Sequence, residues 1–310
     1  MFIKAAKKIR NLLNLPIKIE SLEHKERLDI KNPKVLTGRL LSNFNNQFYK
    51  NINRLSEVEF QVYSQWGDDG IIQWLINKLD IKDKTFVEFG VQDYTESNTR
   101  FLLVNNNWEG LILDGSEENM QFAKNDRISN HHHLHAKCAF ITKENINELL
   151  SNLPFDGELG LLSIDIDGND YWIWKEITVV NPAIVIVEYN AIFELNPWTI
   201  PYKADWVRAY GTQRMIFYGT SLQSICDLAE EKGYYFVGCN SAGNNAYFIR
   251  KDKIGDIRPI TAKEGYESAK FRESRDINGE WVSRKDRLKV IDKMEVYNTR
   301  TGVLENVKGQ

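Results

Sequence analysis

The sequence has only three cysteines among its 310 residues, and none of them forms a CxxC pair. Cys138, Cys226 and Cys239 are odd in number and unevenly spaced, which argues against a disulfide framework and against a zinc site built from cysteine pairs. Cysteine use of this kind is typical of a reducing compartment. We therefore expect a cytoplasmic protein.

Long apolar runs are also lacking, because no segment approaches the ~18 uninterrupted apolar residues of a spanning helix. The first fifteen residues place Lys4, Lys7, Lys8 and Arg10 among apolar side chains, without the apolar core or the cleavage site of a signal peptide. A basic amphipathic helix can lie on a membrane surface. Packing on its own protein or on a second copy is the interpretation we favour. We expect no stable membrane insertion, and a homo-oligomer stays open.

Charge of one sign is not in excess over the whole chain. Lys and Arg number 40 against 43 Asp and Glu, a net charge of −3. This balance gives no long-range reason to expect nucleic acid or anionic lipid as a partner. The length and the 42% hydrophobic content suffice for one core of roughly 200 residues with flanking extensions.

From about residue 56, short apolar runs alternate with helix-length segments. The runs cover residues 85–89, 110–113, 133–140, 159–166, 183–188, 234–239 and 246–250. Such alternation predicts a mostly parallel sheet covered by helices on both faces. Only a short link, 241–245, joins the last two runs, so these are expected to form an antiparallel hairpin. The predicted fold class is α/β, a Rossmann-like sheet of the class I methyltransferase pattern.

Composition divides the chain into three parts. We expect an N-terminal helical extension over residues 1–55 and the Rossmann-like domain over residues 56–250. Residues 251–310 are highly charged and are expected to form a C-terminal extension.

The first run ends in a glycine turn. Gly90 permits a tight turn that brings backbone N–H groups toward a cofactor. The second run ends at Asp114 and Gly115, 24 residues beyond that glycine. A carboxylate at about this spacing accepts hydrogen bonds from ribose hydroxyls. The two features together predict a ribose-containing cofactor.

Gln92 and Tyr94 stand where a dinucleotide-binding fingerprint would have glycines. Their side chains are expected to prevent the close approach that a pyrophosphate requires. A cofactor with a ribose and no phosphate is therefore favoured, and S-adenosylmethionine is one.

Polar residues follow the fourth and fifth runs. Asp165 and Asp167 follow one run, and Glu188 and Asn190 follow the next. Adjacent parallel strands would hold these side chains together at the carboxyl edge of the sheet. Crowded carboxylates repel each other, and either Mg²⁺ or a raised pKa would relieve the repulsion. We predict that Asp165, Asp167 and Glu188 activate an acceptor hydroxyl, and that with Asn190 they are the candidate metal ligands.

Two other interpretations of this segment were weighed. Asp165, Asp167, Asn169 and Glu176 imitate the spacing of an EF-hand loop, but the glycine is two places early and a strand precedes it. Asp-Ile-Asp-Gly after an apolar strand also resembles the nucleophile motif of haloacid-dehalogenase-type phosphatases. That motif normally opens its domain, whereas here three strand–helix units precede it. A non-catalytic assembly subunit with a Rossmann-like fold is a third alternative.

A histidine cluster also has metal-ligand character. His131, His133 and His135 would share one face of a strand. Partly exposed imidazoles at a strand entrance are the favoured interpretation, since no acid lies beside them in sequence, although one of them stays open as the base.

Six motifs in order resemble FkbM-like methyltransferases, over roughly residues 60–250. They are YSQWGDD at 63–69, VEFG at 87–90, SNT at 97–99, DGSEEN at 114–119, SIDIDG at 163–168 and VEYN at 187–190. The resemblance implies S-adenosylmethionine as the methyl donor and O-methylation of a sugar, nucleotide sugar or glycan. It also implies that acids at the sheet edge hold Mg²⁺.

Carried over by position, the resemblance implies that Glu88, Gly90 and Asp114 contact the cofactor. Gln65 and Asp68, from the preceding segment, would close on its methionine end. The chain departs from the family where Asp-Val-Glu-Gly is usual, because it has Asp-Ile-Asp-Gly at 165–168. Transfer of the acceptor site is therefore less direct than transfer of the donor site.

Overall fold

A computed structural model of the chain describes residues 33–208, 215–270, 274–275, 280–282 and 286–308. Its central sheet has seven strands. These are β1 (Thr85–Phe89), β2 (Glu109–Asp114), β3 (Leu134–Cys138), β4 (Leu161–Ile164), β5 (Ile184–Glu188), β7 (Tyr234–Cys239) and β8 (Asn245–Arg250).

The strand order is β3-β2-β1-β4-β5-β8-β7. Strands β1 to β5 are parallel, and β8 runs antiparallel to both β5 and β7. Five parallel strands followed by an antiparallel hairpin confirm the predicted Rossmann-like sheet of the class I methyltransferase type.

Helices cover both faces of this sheet. The described helices are α1 (Pro33–Phe48), α2 (Asp68–Lys78), α3 (Arg100–Asn106), α4 (Glu117–Asn125), α5 (Arg127–His131), α6 (Ile146–Ser151), α7 (Asp170–Glu176), α8 (Leu222–Glu231), α9 (Ala262–Gly265) and α10 (Arg287–Val290). Of these, α10 packs in a separate apolar cluster with the segment after β5. Because successive strand residues point to opposite faces, Phe86 enters one apolar core while its neighbour Val87 enters the other. The central strands are apolar at almost every position because both of their faces are buried.

A smaller sheet lies beside the main one. It consists of β6 (Trp198–Thr199), β11 (Glu295–Asn298) and β12 (Val303–Asn306), all antiparallel, whereas β9 (Ser274–Arg275) and β10 (Trp281–Val282) form a separate antiparallel pair. Its strands and the loops around β6 enclose a third apolar cluster that includes Phe193, Ile291 and Val296. We call residues 191–208, 215–220 and 286–308 the cap. The charged residues after 286 therefore pack against the loop that follows β5.

Residues between 251 and 270 also contact the main domain. Ile257 packs against one apolar core, and Ala262 and Ala269 are buried in the other. The described helices include none with both the length and the apolar character needed to cross a bilayer.

Asp68 joins the first turn of α2 to the β7–β8 hairpin. Its fully buried carboxylate accepts hydrogen bonds from Asn240 Nδ2 at 3.0 Å, from Asn245 Nδ2 at 2.9 Å and from the Tyr247 hydroxyl. Burial raises the pKa of Asp68. The carboxylate satisfies three buried donors at once, so the position of the hairpin depends on it.

We expect Asp68→Ala to lower the free energy of unfolding by about 2–4 kcal/mol, because three buried donors lose their acceptor. Urea denaturation of the purified variant measures the change. Asp80→Ala is the control, since Asp80 is exposed and its removal is expected to change the stability little. Equal stabilities for the two variants would contradict the structural role of Asp68.

Candidate active site

The turn after β1 follows a left-handed backbone path. Gly90 has φ +68°, and a Cβ there would lie 1.7 Å from the carbonyl oxygen of Asp165. No other residue fits this position. Gln92 and Tyr94 continue the path with φ values of 50° and 64°. Non-glycine residues rarely adopt such values, and clustered backbone strain of this kind is a feature of functional sites.

This turn corrects the interpretation of Gln92 and Tyr94. The backbone takes the conformation that glycines usually supply, although neither residue is glycine. The Tyr94 side chain is fully buried, and its hydroxyl lies 3.0 Å from Thr99 Oγ1. The side chain of Tyr94 is therefore directed into the core, away from the space in front of the turn.

Glu88 is the last polar residue of β1 and is almost fully buried. Its carboxylate accepts from the backbone N–H of Asn98 at 2.8 Å, and from the N–H of Thr99 at 3.0 Å and the Thr99 hydroxyl. Burial raises the pKa of Glu88 to about 7 despite these three donors. Glu88 thus holds the segment that enters α3 against the end of the sheet.

Asp114 ends β2 beside the glycine turn. Its Oδ2 accepts from the backbone N–H of Gln92 at 2.9 Å, and its Oδ1 accepts from the N–H of Ser116 at 2.8 Å. The carboxylate is half-buried, and Gly115 next to it is exposed. Asp114 therefore ties the turn after β1 to the end of β2, the position predicted for a ribose-binding acid.

Three acids meet at the ends of β4 and β5. Carboxylate oxygens of Asp165, Asp167 and Glu188 all lie within 4.8 Å of one another. Glu188 is buried, and the two aspartates are partly exposed. Such a set of hard oxygen donors fits Mg²⁺ better than a soft metal. We call these three residues the acid cluster.

Asn190 lies beside the acid cluster, with its side chain turned to the cap backbone. Its Nδ2 donates to the carbonyl oxygens of Ile216 at 2.9 Å and Tyr218 at 3.0 Å, and its Oδ1 accepts from the N–H of Ile192 at 3.1 Å. The Asn190 amide thereby fixes the cap next to the acid cluster.

Asp170 is a fourth acid that sequence reasoning left without a role. It is fully buried at the start of α7, where Oδ1 accepts from the N–H of Ile166 and Oδ2 from that of Gly168, both at 2.9 Å. These bonds fold the loop that presents Asp167, which has φ +57°. Burial, with the nearby Glu188 carboxylate, raises the pKa of Asp170 to about 7. The only sequence signal was its place three residues after Asp167.

Arg208 is the second residue that sequence reasoning missed. It comes from the cap, and its Nη1 forms an ion pair with Asp167 Oδ1. Its Nε donates to the carbonyl oxygen of Met215 at 3.0 Å, and the guanidinium lies 3.8 Å from the ring centroid of Tyr218. No motif marks Arg208, because it is 41 residues from Asp167 in sequence. It supplies a positive charge beside the acid cluster.

A cavity of about 300 Å³ lies between the glycine turn and the acid cluster. Its volume is at the lower end of the range for small-molecule sites. Among the described residues, its lining includes Gln65, Glu88, Gly90, Asp93, Glu96, Asn98, Asp165, Asp167, Glu188, Arg208 and Asn245. Asp68, Asp114 and Gly115 lie outside this lining, and Asp68 reaches it only through its hydrogen bond with Asn245.

The exposed imidazoles favoured from the sequence agree with the structure, in which His131, His133 and His135 are all exposed. His131 ends α5 and does not belong to β3, so the expected shared strand face is wrong for this residue. His135 Nε2 lies 3.3 Å from Glu109 Oε1, an acid supplied by the neighbouring strand β2. His133 directly precedes the edge strand β3 and His135 belongs to it; both are exposed, and neither lines the cavity at the acid cluster.

No protein-family model and no curated protein sequence matches the chain. One similar solved structure is an S-adenosylmethionine-dependent methyltransferase from Clostridium acetobutylicum, with 12% identity and a TM-score of 0.38, covering 69% of this chain and 99% of that chain. Another is an O-methyltransferase from Bacillus cereus in complex with SAH, with 10% identity and a TM-score of 0.38. The match covers 72% of this chain and 91% of that chain. The strand order itself, rather than these similarities, defines the fold.

The raised pKa of Glu88 predicts an unusual dependence of stability on pH. A buried acid with a folded-state pKa of about 7 and an ordinary value of 4.5 keeps its proton more tightly in the folded state. Its contribution to stability is therefore complete below pH 4.5 and is lost as the pH rises to about 7. Relative to Glu88→Gln, wild-type protein should lose about 3 kcal/mol of unfolding free energy across this interval.

Urea denaturation of both proteins at several pH values measures this difference. The substitution has a pH-independent effect as well, because Gln accepts fewer hydrogen bonds than a carboxylate, so the slope is the informative quantity. A wild-type-minus-variant difference that stays constant from pH 4.5 to pH 8 would show that Glu88 titrates normally.

Proposed function

We propose that the chain is an S-adenosylmethionine-dependent O-methyltransferase that acts on a hydroxyl of a sugar, nucleotide sugar or glycan. One observation carries the proposal. The acid cluster faces a strained glycine-type turn across a single polar cavity, at the carboxyl edge of a parallel sheet with the methyltransferase strand order. In open parallel sheets, this edge is where ligands bind.

The residues on the donor side fit S-adenosylmethionine. Gly90 and Gln92 adopt positive φ, so the backbone turns sharply after β1. Asp114 has a partly exposed carboxylate at the position predicted for a ribose-binding acid. Glu88 and Gln65 line the cavity at the end proposed for the methionine group. When bound, this cofactor supplies a methyl group on a sulfonium, which an acceptor oxygen can attack.

The residues on the acceptor side fit hydroxyl activation. A hydroxyl that donates a hydrogen bond to Asp165, Asp167 or Glu188 would transfer its proton to that carboxylate as its oxygen bonds to the methyl carbon and the carbon–sulfur bond of the sulfonium breaks. Asp170 holds the loop that carries Asp167, and Arg208 limits the repulsion among the acids. Mg²⁺, if held, would be bound by the same three carboxylates and would add Lewis acidity.

Asp114→Ala is expected to weaken the binding of S-adenosylmethionine and S-adenosylhomocysteine by at least about tenfold, or about 1.4 kcal/mol, because the ribose loses its acceptor. Calorimetric titration with and without Mg²⁺ measures both affinities. Glu118→Ala is the control, since Glu118 is exposed in the helix that follows. Unchanged affinity in Asp114→Ala would remove Asp114 from the donor site.

A wild-type protein that binds neither compound would refute the methyltransferase proposal as a whole. Release of phosphate from a generic phosphate ester, lost in Asp165→Asn, would then support the phosphatase alternative.

Glu188→Gln is expected to retain S-adenosylhomocysteine affinity and to lower methyl transfer by about 100-fold or more, because the amide cannot accept the proton of the acceptor hydroxyl. Transfer from S-adenosylmethionine to a panel of sugars and nucleotide sugars provides the assay. Glu194→Gln is the matched control, with an exposed acid a few residues further along the chain. Full activity of Glu188→Gln would contradict the role of Glu188.

A further inference from the structure

Helix α1 packs on the protein through its small and polar face. The buried residues of this face are Val35, Gly38, Ser42 and Asn45. A Cβ at Gly38 would lie 2.5 Å from Val62 Cγ2, so the contact is close. Ser42 Oγ donates to Gln73 Oε1 at 3.1 Å, and Asn45 Nδ2 donates to the Val58 carbonyl oxygen at 2.9 Å. These specific contacts fix which side of α1 faces the domain.

The large apolar side chains of α1 consequently point outward. The exposed residues are Leu36, Leu40, Leu41, Phe44 and Phe48. Four of them are spaced at intervals of four residues and so form one ridge along the helix. Leu40 is 70% exposed and Phe48 61%, and the rings of Phe44 and Phe48 lie 4.6 Å apart. We call these five residues the α1 ridge.

This arrangement is the reverse of an ordinary surface helix, which buries its apolar stripe. A contiguous exposed apolar surface on a folded protein indicates a binding surface, whereas single exposed apolar residues do not. The α1 ridge therefore requires an occupant that offers apolar surface.

The net charge of the chain segment that contains the α1 ridge indicates what kind of partner binds there. Residues 1–56 contain 12 Lys and Arg against four Asp and Glu, whereas residues 57–310 contain 28 against 39. Within residues 30–56 there are five cations and no acid. The net charge of the whole chain conceals this division. A basic segment joined to an acidic domain is attracted to an anionic surface.

We propose that the α1 ridge binds the surface of an anionic lipid bilayer. Leu and Phe side chains would enter the boundary between headgroups and acyl chains, and the net positive charge of the N-terminal segment would attract it to anionic headgroups. The first fifteen residues have a similar composition, because they combine four cations with apolar side chains at helical spacing and contain no acid.

Charge favours a bilayer over the two protein occupants. A second copy would bring together two segments, residues 30–56 of each chain, that each contain five cations and no acid. The chain's own residues 1–15 carry four further cations and no acid, so they would also add positive charge to a positive region. An anionic bilayer offers both an apolar acyl-chain region and negatively charged headgroups.

Co-sedimentation of the full chain with vesicles tests the proposal. The probes are vesicles of phosphatidylcholine alone and vesicles of phosphatidylcholine mixed with phosphatidylglycerol. We expect binding to the mixed vesicles, weaker binding at high salt, and an affinity at least about tenfold lower for the double variant Leu40→Gln, Phe44→Gln. Both side chains are exposed, so the variant is expected to fold, and its thermal unfolding checks this.

Val303→Gln, Leu304→Gln is the matched control. These two residues of β12 are 54% and 53% exposed, similar to those of the α1 ridge. The control should bind the mixed vesicles as the wild type does. Equal losses in the two double variants would overturn the assignment to α1.

Other outcomes also overturn the proposal. They are equal binding to neutral and anionic vesicles, or no vesicle binding at all. A wild-type dimer that becomes monomeric in the α1 variant, measured by light scattering without lipid, would identify a second copy as the occupant. Titration with S-adenosylhomocysteine should give the same affinity in all these variants, so this test is independent of the proposed enzymatic activity.

Discussion

The contact between Gly90 and the backbone of Asp165 sets the geometry of the whole site. These residues directly follow the adjacent parallel strands β1 and β4, and a single methyl group at Gly90 would overlap the Asp165 carbonyl oxygen. Because the two chain segments approach so closely, the strained turn and the acid cluster lie on opposite sides of one small cavity. Any side chain at position 90 would move the turn after β1 away from the acid cluster.

Negative charge at the sheet edge is the second constraint. Carboxylate oxygens of Asp165, Asp167 and Glu188 lie within 4.8 Å of one another, and burial together with the nearby Glu188 carboxylate raises the pKa of Asp170. The fold offsets part of this cost with backbone N–H groups donated to Asp170 and with Arg208 from the cap. The cap therefore belongs to the electrostatics of the site as well as to its walls.

The sheet could be predicted from sequence because its central strands are buried on both faces and so appear as continuous apolar runs. The runs at 85–89 and 234–239 coincide with β1 and β7, and the carboxyl ends of the strands were placed well enough to bring Asp165, Asp167 and Glu188 together. The order of helices and strands followed from the same alternation.

Other features had no local signal. The backbone at Gln92 and Tyr94 adopts positive φ, with the Gln92 N–H donated to Asp114, and neither residue type indicates that conformation. Strand β6 has only two residues, and its partner β11 lies about a hundred residues later, so pairing between them leaves no pattern in either segment. The buried side of α1 was also unpredictable, since hydrogen bonds and a glycine contact, rather than apolar periodicity, determine it.

The pairing of β6 with β11 has a consequence for the order in which the protein forms during translation. All seven strands of the main sheet are complete once residue 250 has been synthesised, so the sheet can assemble while the following residues are still being added. The loop after β5 must wait for β11 before its apolar cluster can close. The cap that carries Arg208 is therefore completed only after β11 has been made, and a nascent chain has a complete sheet before it has a complete candidate site.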